Sequence, residues 1–314
     1  MQEYPPVLYL MGPTASGKTD LAVELCQHYP FEIISVDSAM VYRGMNIGTA
    51  KPTADILRLA PHRLIDIRDP WQAYSAAEFR SDALREIADI RQQGRIPLLV
   101  GGTMLYFRAL QQGLSPLPAA SPAVRARLEE ERTACGNAAM HARLREIDPQ
   151  AASRIHPNDP QRVQRALEVF ELTGSPLSEL QTRSAVEKLP VQPLKIALLP
   201  PDRAWLHQRI EQRFEAMLAG GLIEEVATLK ANTDLSLDQP AMRAVGYRQV
   251  WRFLDSEIDY ATLLQQGVSA TRQFAKRQLT WLRSENDLIR LDCTSSKLYQ
   301  DVINYLHEKH FFRT

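Results

Sequence analysis

Cysteine is scarce among the 314 residues, with three in all. Cys26, Cys135 and Cys293 lie far apart, are odd in number and show no C-x-x-C or Cys/His spacing. This argues against a disulfide framework and against zinc. Long apolar runs are also lacking. The longest, such as Ile96 to Val100 and Ile196 to Leu199, fall well short of the roughly 18 residues that a membrane span needs. No basic stretch followed by an apolar one opens the chain, so no membrane association and a cytosolic location are expected. Net charge is missing too, because 37 Lys+Arg face 37 Asp+Glu. That balance alone gives no reason to expect a nucleic acid or an anionic surface as partner. Internal repeats, low-complexity tracts and the N-K-x-D guanine signature are absent as well, the last of which disfavours a GTP-binding switch. His307 and His310 form the only close histidine pair and read as surface residues. What is present is ordinary for a globular protein: 45% hydrophobic and 24% charged residues, in a chain long enough for two domains or for one core with an insertion.

Short β-rich runs bounded by turn residues occur at Val7 to Met11, Glu32 to Val36, Leu64 to Ile67, Pro97 to Val100, Leu194 to Leu199 and Leu288 to Leu291. Helical periodicity fills the gaps among the first four, notably over Lys18 to His28 and Ala76 to Gln93. Such alternation predicts a parallel α/β sheet with helices on both faces. The strand signal stops between about residue 113 and residue 192. This stretch is opened by the Pro-rich Leu114 to Pro122 and closed by the Pro-flanked Lys188 to Pro193. Because a strand resumes at Leu194, residues 113–192 read as a helical insertion into a core made of residues 1–112 and 193–314. Helices dominate the remainder, with a long one expected from about Asp259 to Arg283.

Gly12, Pro13, Thr14, Ala15, Ser16, Gly17, Lys18 and Thr19 fit the phosphate-binding loop G-x-x-x-x-G-K-[ST], set between an apolar strand and a helix as that motif requires. The glycines let backbone wrap a phosphate, amides and the helix terminus supply positive potential, Lys18 adds a full charge, and the Thr19 hydroxyl suits a magnesium ion. The second strand ends on Asp37 and the fourth on Gly101-Gly102-Thr103. In an open parallel sheet these ends share one edge with the phosphate loop, which makes a convergent site. The fold class is therefore α/β, a P-loop NTPase-like parallel sheet core with a helical insertion domain. On these residues alone an ATP-binding small-molecule kinase, with Asp37 activating a hydroxyl, remains open. A non-catalytic RNA-binding protein would leave the loop, Asp37 and Thr103 unexplained.

The loop is followed in order by Asp37-Ser38-Ala39-Met40-Val41-Tyr42-Arg43-Gly44, Gly48-Thr49-Ala50-Lys51-Pro52, His62-Arg63-Leu64-Ile65-Asp66 and Tyr74-Ser75-Ala76-Ala77-Glu78-Phe79. After Gly101-Gly102-Thr103 come the runs from Asn158 to Glu168, Val245-Gly246-Tyr247-Arg248-Gln249, and Lys276-Arg277-Gln278-Leu279-Thr280-Trp281-Leu282-Arg283. Together, over nearly the full length, they resemble the tRNA dimethylallyltransferases. One departure is Met40, where that family commonly carries Gln. The resemblance implies transfer of a dimethylallyl group from dimethylallyl diphosphate to N6 of the adenosine 3′ to the anticodon, with release of diphosphate and with Mg2+ as cofactor. It further implies that the phosphate loop grips the leaving group, that Asp37 takes a proton from N6, and that Thr103 orients the reacting centre. Arg213, with Arg209 one turn away as the alternative, is expected to add charge to the diphosphate site.

The remaining question is where a tRNA anticodon stem-loop could bind. Residues 1–112, 113–190 and 191–314 are each close to neutral, yet finer windows are not. From Tyr260 to Ser284 there is no acid, with Arg272, Lys276, Arg277 and Arg283 present; from Gln239 to Leu254 there is again none, with Arg243, Arg248 and Arg252. Arg272, Lys276, Thr280 and Arg283 recur at helical spacing and predict a basic stripe opposite Phe274 and Trp281, the footprint of a phosphate backbone. In the insertion, Asp159 before Pro160 reads as a helix cap. The helix it starts is expected to bury Val163, Leu167 and Phe170 and to project Gln161, Arg162, Gln164 and Arg165. Under the resemblance the tRNA contacts comprise Asp37, Ser38, Ala39, Met40, Thr103, Arg125, the segment Gln161 to Arg165 including Val163, Arg243, Gly246, Tyr247, Arg248, Arg272, Lys276, Arg277 and Arg283. A monomer is expected.

Overall fold

The computed structural model describes residues 6–183 and 193–312 and divides into two units, Met1–Gln111 with Leu189–Thr314, and Gln112–Lys188. In the first unit the order is β1 (Leu8–Met11), α1 (Lys18–His28), β2 (Phe31–Val36), α2 (Ala54–Leu59), β3 (His62–Arg63), α3 (Ala76–Gln92), β4 (Ile96–Gly101) and α4 (Met104–Gln112). The second unit holds α5 (Pro122–Ile147), α6 (Pro149–Arg154), α7 (Pro160–Thr173) and α8 (Leu177–Arg183). The first unit resumes with β5 (Leu194–Leu199), α9 (Arg203–Ala219), α10 (Leu222–Lys230), a 3-10 turn at Ala241–Arg243, α11 (Tyr247–Leu254), α12 (Tyr260–Ser284), β6 (Leu288–Asp292) and α13 (Leu298–Glu308). The expected Pro-flanked closure of the insertion at Lys188 to Pro193 lies, apart from Pro193, outside the described residues.

All six strands run parallel in the order β3-β2-β4-β1-β5-β6. A parallel sheet is covered on both faces, which is why its strands are nearly continuous apolar runs. Leu8, Leu10, Ile33, Leu98, Val100, Ile196 and Leu198 pack against Leu21 and Leu25 of α1 and Val302 and Leu306 of α13. The alternate residues Tyr9, Met11, Ile34, Val36, Leu99 and Ala197 face α3, α4, α9 and α12 through Phe79, Phe107, Phe214 and Ala275.

The third strand departs from expectation. Pairing with β2 stops after Arg63, because Leu64 (φ 61°) and Asp66 (φ 54°) adopt left-handed backbone that no ladder accepts. Helix starts follow the sequence more closely. Ser75 Oγ accepts from the Glu78 amide while the Glu78 carboxylate accepts from the Ser75 amide, a reciprocal cap on α3. Asp202 and Asp259 cap α9 and α12 more simply, each carboxylate accepting from the amide three residues on, that of Trp205 and of Thr262.

In the second unit α5 is broken at Gly136, whose φ of 82° and ψ of 167° are non-helical. Asp159 caps α7 as expected, but the face it buries is Val163, Ala166, Leu167, Glu168 and Val169, with Phe170 half-buried. The acid is the unexpected member of that face. Glu168 is fully buried; its Oε1 accepts from the Ser121 amide at 2.8 Å and Arg125 Nε at 2.9 Å, and its Oε2 from Arg165 Nη1 at 2.6 Å. Burial alone would raise its pKa. The hydrogen bonds from Arg125, Arg165 and Ser121 overcome that and hold the carboxyl below the usual range. This stabilisation is complete above the unfolded value of about 4.3 and is lost as pH falls through the folded value.

Glu168→Ala leaves the Ser121 amide without its acceptor and removes the shared partner of Arg125 and Arg165, and is expected to destabilise the helical unit by about 2 kcal/mol. Denaturant titration of the variant at neutral pH is the measurement; a loss under about 1 kcal/mol would show that solvent satisfies the arginines instead.

Candidate active site

Register sets the site. Val36 of β2 and Met11 of β1 both stand opposite Gly101 of β4, so these three neighbouring strands end at one level. The chain leaves them as the phosphate loop, as Asp37 and as Gly102-Thr103. Gly101 is required by close approach, since a Cβ there would meet the Val36 carbonyl oxygen at 2.1 Å, and at Gly102 a Cβ would displace the Gln278 amide, whose Nε2 lies 2.2 Å from that position.

In the loop, Ala15 (φ 64°) and Gly17 (φ 75°) take left-handed backbone. Such turns point successive amides to one side, as an anion-binding nest does, and α1 begins immediately afterwards at Lys18 with its amide-rich end toward the loop. Ser16 Oγ donates to the Pro13 carbonyl at 2.9 Å, and Lys18 Nζ donates to the same carbonyl at 2.6 Å. Burial, joined by the positive charge of Arg213, draws the Lys18 ammonium down to about 7 against the opposing pull of Asp37. Arg213 on α9 is likewise lowered by burial and supported by Asp37, with Arg209 as a repelling neighbour. Lys18, Arg213 and Asp37 are thus within electrostatic reach of each other. Arg209 turns to lie over the Trp205 ring at 5.6 Å.

Asp37 is oriented by its own turn. Its Oδ1 accepts from the Ala39 amide at 2.8 Å and the Met40 amide at 3.2 Å. This Asx-type turn fixes one carboxylate oxygen and defines where Oδ2 points. Thr103 Oγ1 accepts from the Ser38 amide at 3.1 Å, and the Thr103 amide donates to the Val36 carbonyl at 3.2 Å. The carboxylate and the hydroxyl therefore belong to one hydrogen-bonded turn. Met40 is turned partly inward, where its sulfur accepts from Ser35 Oγ at 3.9 Å.

Two residues that hold backbone segments in the first unit are not marked as such by the sequence. Gln278 of α12 is buried; its Oε1 accepts from the Thr14 amide at 2.9 Å and its Nε2 donates to the Gly102 carbonyl at 2.9 Å. The signal was available, because Ala275, Gln278 and Leu282 share the buried face and an amide among them requires partners. Glu225 of α10 accepts from the amides of Asn46 and Ile47, both at 2.8 Å, from Gly48 at 3.2 Å and from Tyr247 Oη at 2.6 Å. Nothing in its local sequence points to the segment it holds, which lies 177 or more residues away.

Residues expected to face RNA divide into two sets. Lys276, Arg277, Arg283, Arg243 and Arg248 are exposed in the first unit, and Gln161 and Arg162 in the second. Others are engaged internally. Tyr247 is buried with its hydroxyl on Glu225, and Val163 is buried in the second unit's core, so neither side chain meets solvent. Gly246 is buried and opens α11 with φ 96°. Arg125 and Arg165 hold Glu168, and Gln164 Nε2 donates to the Arg125 carbonyl at 3.0 Å. Arg272 donates to Glu211 at 2.8 Å, so the stripe on α12 is shorter than expected. The buried face of α12 is centred on Ala275, Gln278 and Leu282, with Phe274 and Trp281 only half-buried at its margins.

Among the described residues no cluster of three or more His, Cys, Asp or Glu side chains could enclose a metal ion. Thr19, half-buried in the first turn of α1, offers a hydroxyl oxygen. That donor fits Mg2+, which takes one or two protein oxygens and completes its shell with phosphate and water.

A family model described as IPP transferase matches residues 40–285. The chain is 58% identical over 285 residues to the tRNA dimethylallyltransferase of Halorhodospira halophila, covering 91% of this chain and 92% of that protein. It is 62% identical over 281 residues to the tRNA dimethylallyltransferase of Alkalilimnicola ehrlichii, covering 90% and 88%. Among solved structures it is similar to the full-length tRNA isopentenylpyrophosphate transferase of Bacillus halodurans, with TM-score 0.71 and 36% identity over 97% of this chain and 96% of that one. It is also similar to a eukaryotic dimethylallyltransferase captured acting on tRNA, with TM-score 0.79 and 25% identity over 98% and 80%.

The Lys18 ammonium near 7 has a measurable consequence. An organic diphosphate should bind with proton uptake above pH 7, its affinity falling about tenfold per pH unit until the bound-state pKa is reached. Calorimetry in two buffers of different ionisation enthalpy measures the uptake, and the dependence should vanish in Lys18→Met. A pH-independent affinity in the unsubstituted protein would contradict this account.

Proposed function

The chain belongs to the IPP transferase family, and from that membership we propose that it transfers a dimethylallyl group from dimethylallyl diphosphate to N6 of the adenosine 3′ to the anticodon of tRNA, releasing diphosphate. The observation that carries this reading is the convergence of the phosphate loop, Asp37 and Thr103 at three level strand ends, with Arg213 beside them. A cationic cradle and an oriented carboxylate lie side by side. This is what displacement of an anionic leaving group by a neutral amine requires.

In the reaction the N6 lone pair forms the bond to C1 of the donor while the C1–O bond breaks and its electron pair leaves with diphosphate. The loop amides, Lys18 and Arg213 neutralise the charge that gathers on the departing oxygen. Adenine N6 is a weak nucleophile because its lone pair is delocalised. As the new bond forms the nitrogen becomes acidic, and Asp37 Oδ2 receives its proton. The Asx turn keeps that oxygen aimed, since Oδ1 is occupied by Ala39 and Met40. Thr103, fixed by the Ser38 amide, orients the bridging oxygen or the amine. Mg2+, held by Thr19 and the diphosphate, would supply Lewis-acid neutralisation of the leaving group.

For the RNA, the exposed Lys276, Arg277 and Arg283 on α12 and Arg243 and Arg248 before and on α11 supply phosphate contacts from the first unit. In the second unit Gln161 and Arg162 occupy the first turn of α7. The proposed working form is a cytosolic monomer. No helix among the described residues is long and apolar enough to cross a membrane.

Incubation with Mg2+, unmodified tRNA and either labelled dimethylallyl diphosphate or labelled ATP tests the reading. Prenyl label should appear on the adenosine beside the anticodon; label moving from ATP alone would sink it in favour of a kinase. Asp37→Ala is expected to lower transfer by about 10²- to 10⁴-fold with tRNA affinity preserved. Replacing Lys276, Arg277 and Arg283 together by Ala should weaken RNA binding and reduce the slope of log K against log salt by about 2 to 3. An unchanged slope would mark these three as solvated charges.

A further inference from the structure

Gln278 is buried at 4% exposure, yet it sits on the same helix as Lys276, Arg277 and Arg283. Its carboxamide has one orientation that satisfies both partners. The Thr14 amide can only donate and the Gly102 carbonyl can only accept, so the oxygen must face the phosphate loop and the nitrogen the β4–α4 turn. A single planar group, with both bonds at 2.9 Å, therefore spans the two backbone segments that carry opposite halves of the reaction. One segment continues into the loop that holds the diphosphate. The other continues into Thr103, which is bonded to the Ser38 amide and hence to the Asp37 turn.

Space makes the bridge specific. A Cβ on Gly102 would fall 2.2 Å from Gln278 Nε2, so the bare turn leaves room for this amide where it now sits. Thr14 precedes the left-handed Ala15 and Gly17, and the bond to Gln278 satisfies its amide from the protein. Among the described residues the loop side chains of Ser16 and Lys18 bond within the loop, and Thr103 bonds to Ser38. The strands beneath set their level, and Gln278 sets the spacing of what emerges above them.

We propose that Gln278 is a positioning residue for prenyl transfer, fixing the distance between the diphosphate cradle and the Asp37–Thr103 turn from the helix that carries the basic RNA-facing side chains. This rests on the transferase reading above. The geometry needed is narrow, because a displacement of about 1 Å between reacting groups costs on the order of 100-fold in rate. Misalignment acts on the rate of the bound complex and leaves each substrate's own contacts in place. Loss of Gln278 is therefore a kcat effect, with little change in KM for dimethylallyl diphosphate or in tRNA affinity.

Two substitutions test it. Gln278→Met removes both bonds at similar volume and should lower kcat by about 10- to 100-fold, with KM and tRNA affinity within about threefold. Gln278→Glu keeps an acceptor for Thr14 and loses the donor to Gly102 when ionised. Protonation restores that donor, so kcat of Gln278→Glu should rise toward the unsubstituted value as pH is lowered, while the unsubstituted enzyme shows no such recovery. Hydrogen exchange at the Thr14 amide, read in the full chain without substrates, should quicken at least tenfold in Gln278→Met. That readout does not depend on turnover. If the unsubstituted enzyme fails to transfer the prenyl group, the functional reading falls; if it transfers and Gln278→Met keeps kcat within threefold, or Gln278→Glu shows no acid recovery, the positioning role falls. Should Gln278→Met not fold, the pH profile of Gln278→Glu decides.

Discussion

Everything chemical in this molecule depends on three parallel strands ending at one level. The ladder fixes Met11 and Val36 opposite Gly101, and the backbone has no freedom left when it passes into the phosphate loop, Asp37 and Thr103. A shift of a single residue in any one ladder would move the residue at its end by about 3.3 Å and turn it to the opposite face of the sheet. The core enforces that register from both sides. On one face α1 and α13 cover the sheet, and on the other α3, α4, α9 and α12 do so. Catalytic precision here is inherited from packing that contains no catalytic atoms.

The electrostatics of the site run against stability. Lys18 and Arg213 are both lowered by burial, and each has another cation as neighbour, with Asp37 as the acid that opposes. A folded chain that holds two such cations close together favours any dianion that can enter between them. The overall charge of zero conceals this, because the separation of sign occurs over a few ångströms and not over domains. The same holds for α12, where the basic residues on one side share a helix with an uncharged buried face.

Much of the architecture was legible in the sequence because the periodicities are clean. The periodicity of Lys18 to His28 predicts a helix with its true ends, and that of Leu194 to Leu199 a strand. The third strand was misplaced because Leu64 and Ile65 look β-forming, while the left-handed backbone of Leu64 and Asp66 is imposed by tertiary contacts. Lys51 Nζ donates to Asp66 at 2.6 Å and to the Tyr42 carbonyl at 2.8 Å, and the Asp66 amide donates to the Met40 carbonyl at 3.2 Å. The phosphate loop, Asp37 and Thr103 could be located since strand ends mark them. The surface arginines were harder to sort. Arg125, Arg165 and Arg272 have the composition of RNA contacts, and only their acidic partners, Glu168 and Glu211, which are remote in sequence from Arg125 and Arg272, reveal that they serve the fold.

Glu225 gives the design a further meaning. Three successive amides, those of Asn46, Ile47 and Gly48, converge on its carboxylate. Convergent amides form the same kind of receptor that the phosphate loop builds from Ala15 to Lys18. The chain thus makes two anion receptors and plugs one with its own side chain, adding the Tyr247 hydroxyl as a stopper. The carboxylate that fills the second receptor comes from α10, so the segment from Asn46 to Gly48 is tied to a helix 177 or more residues further along the chain.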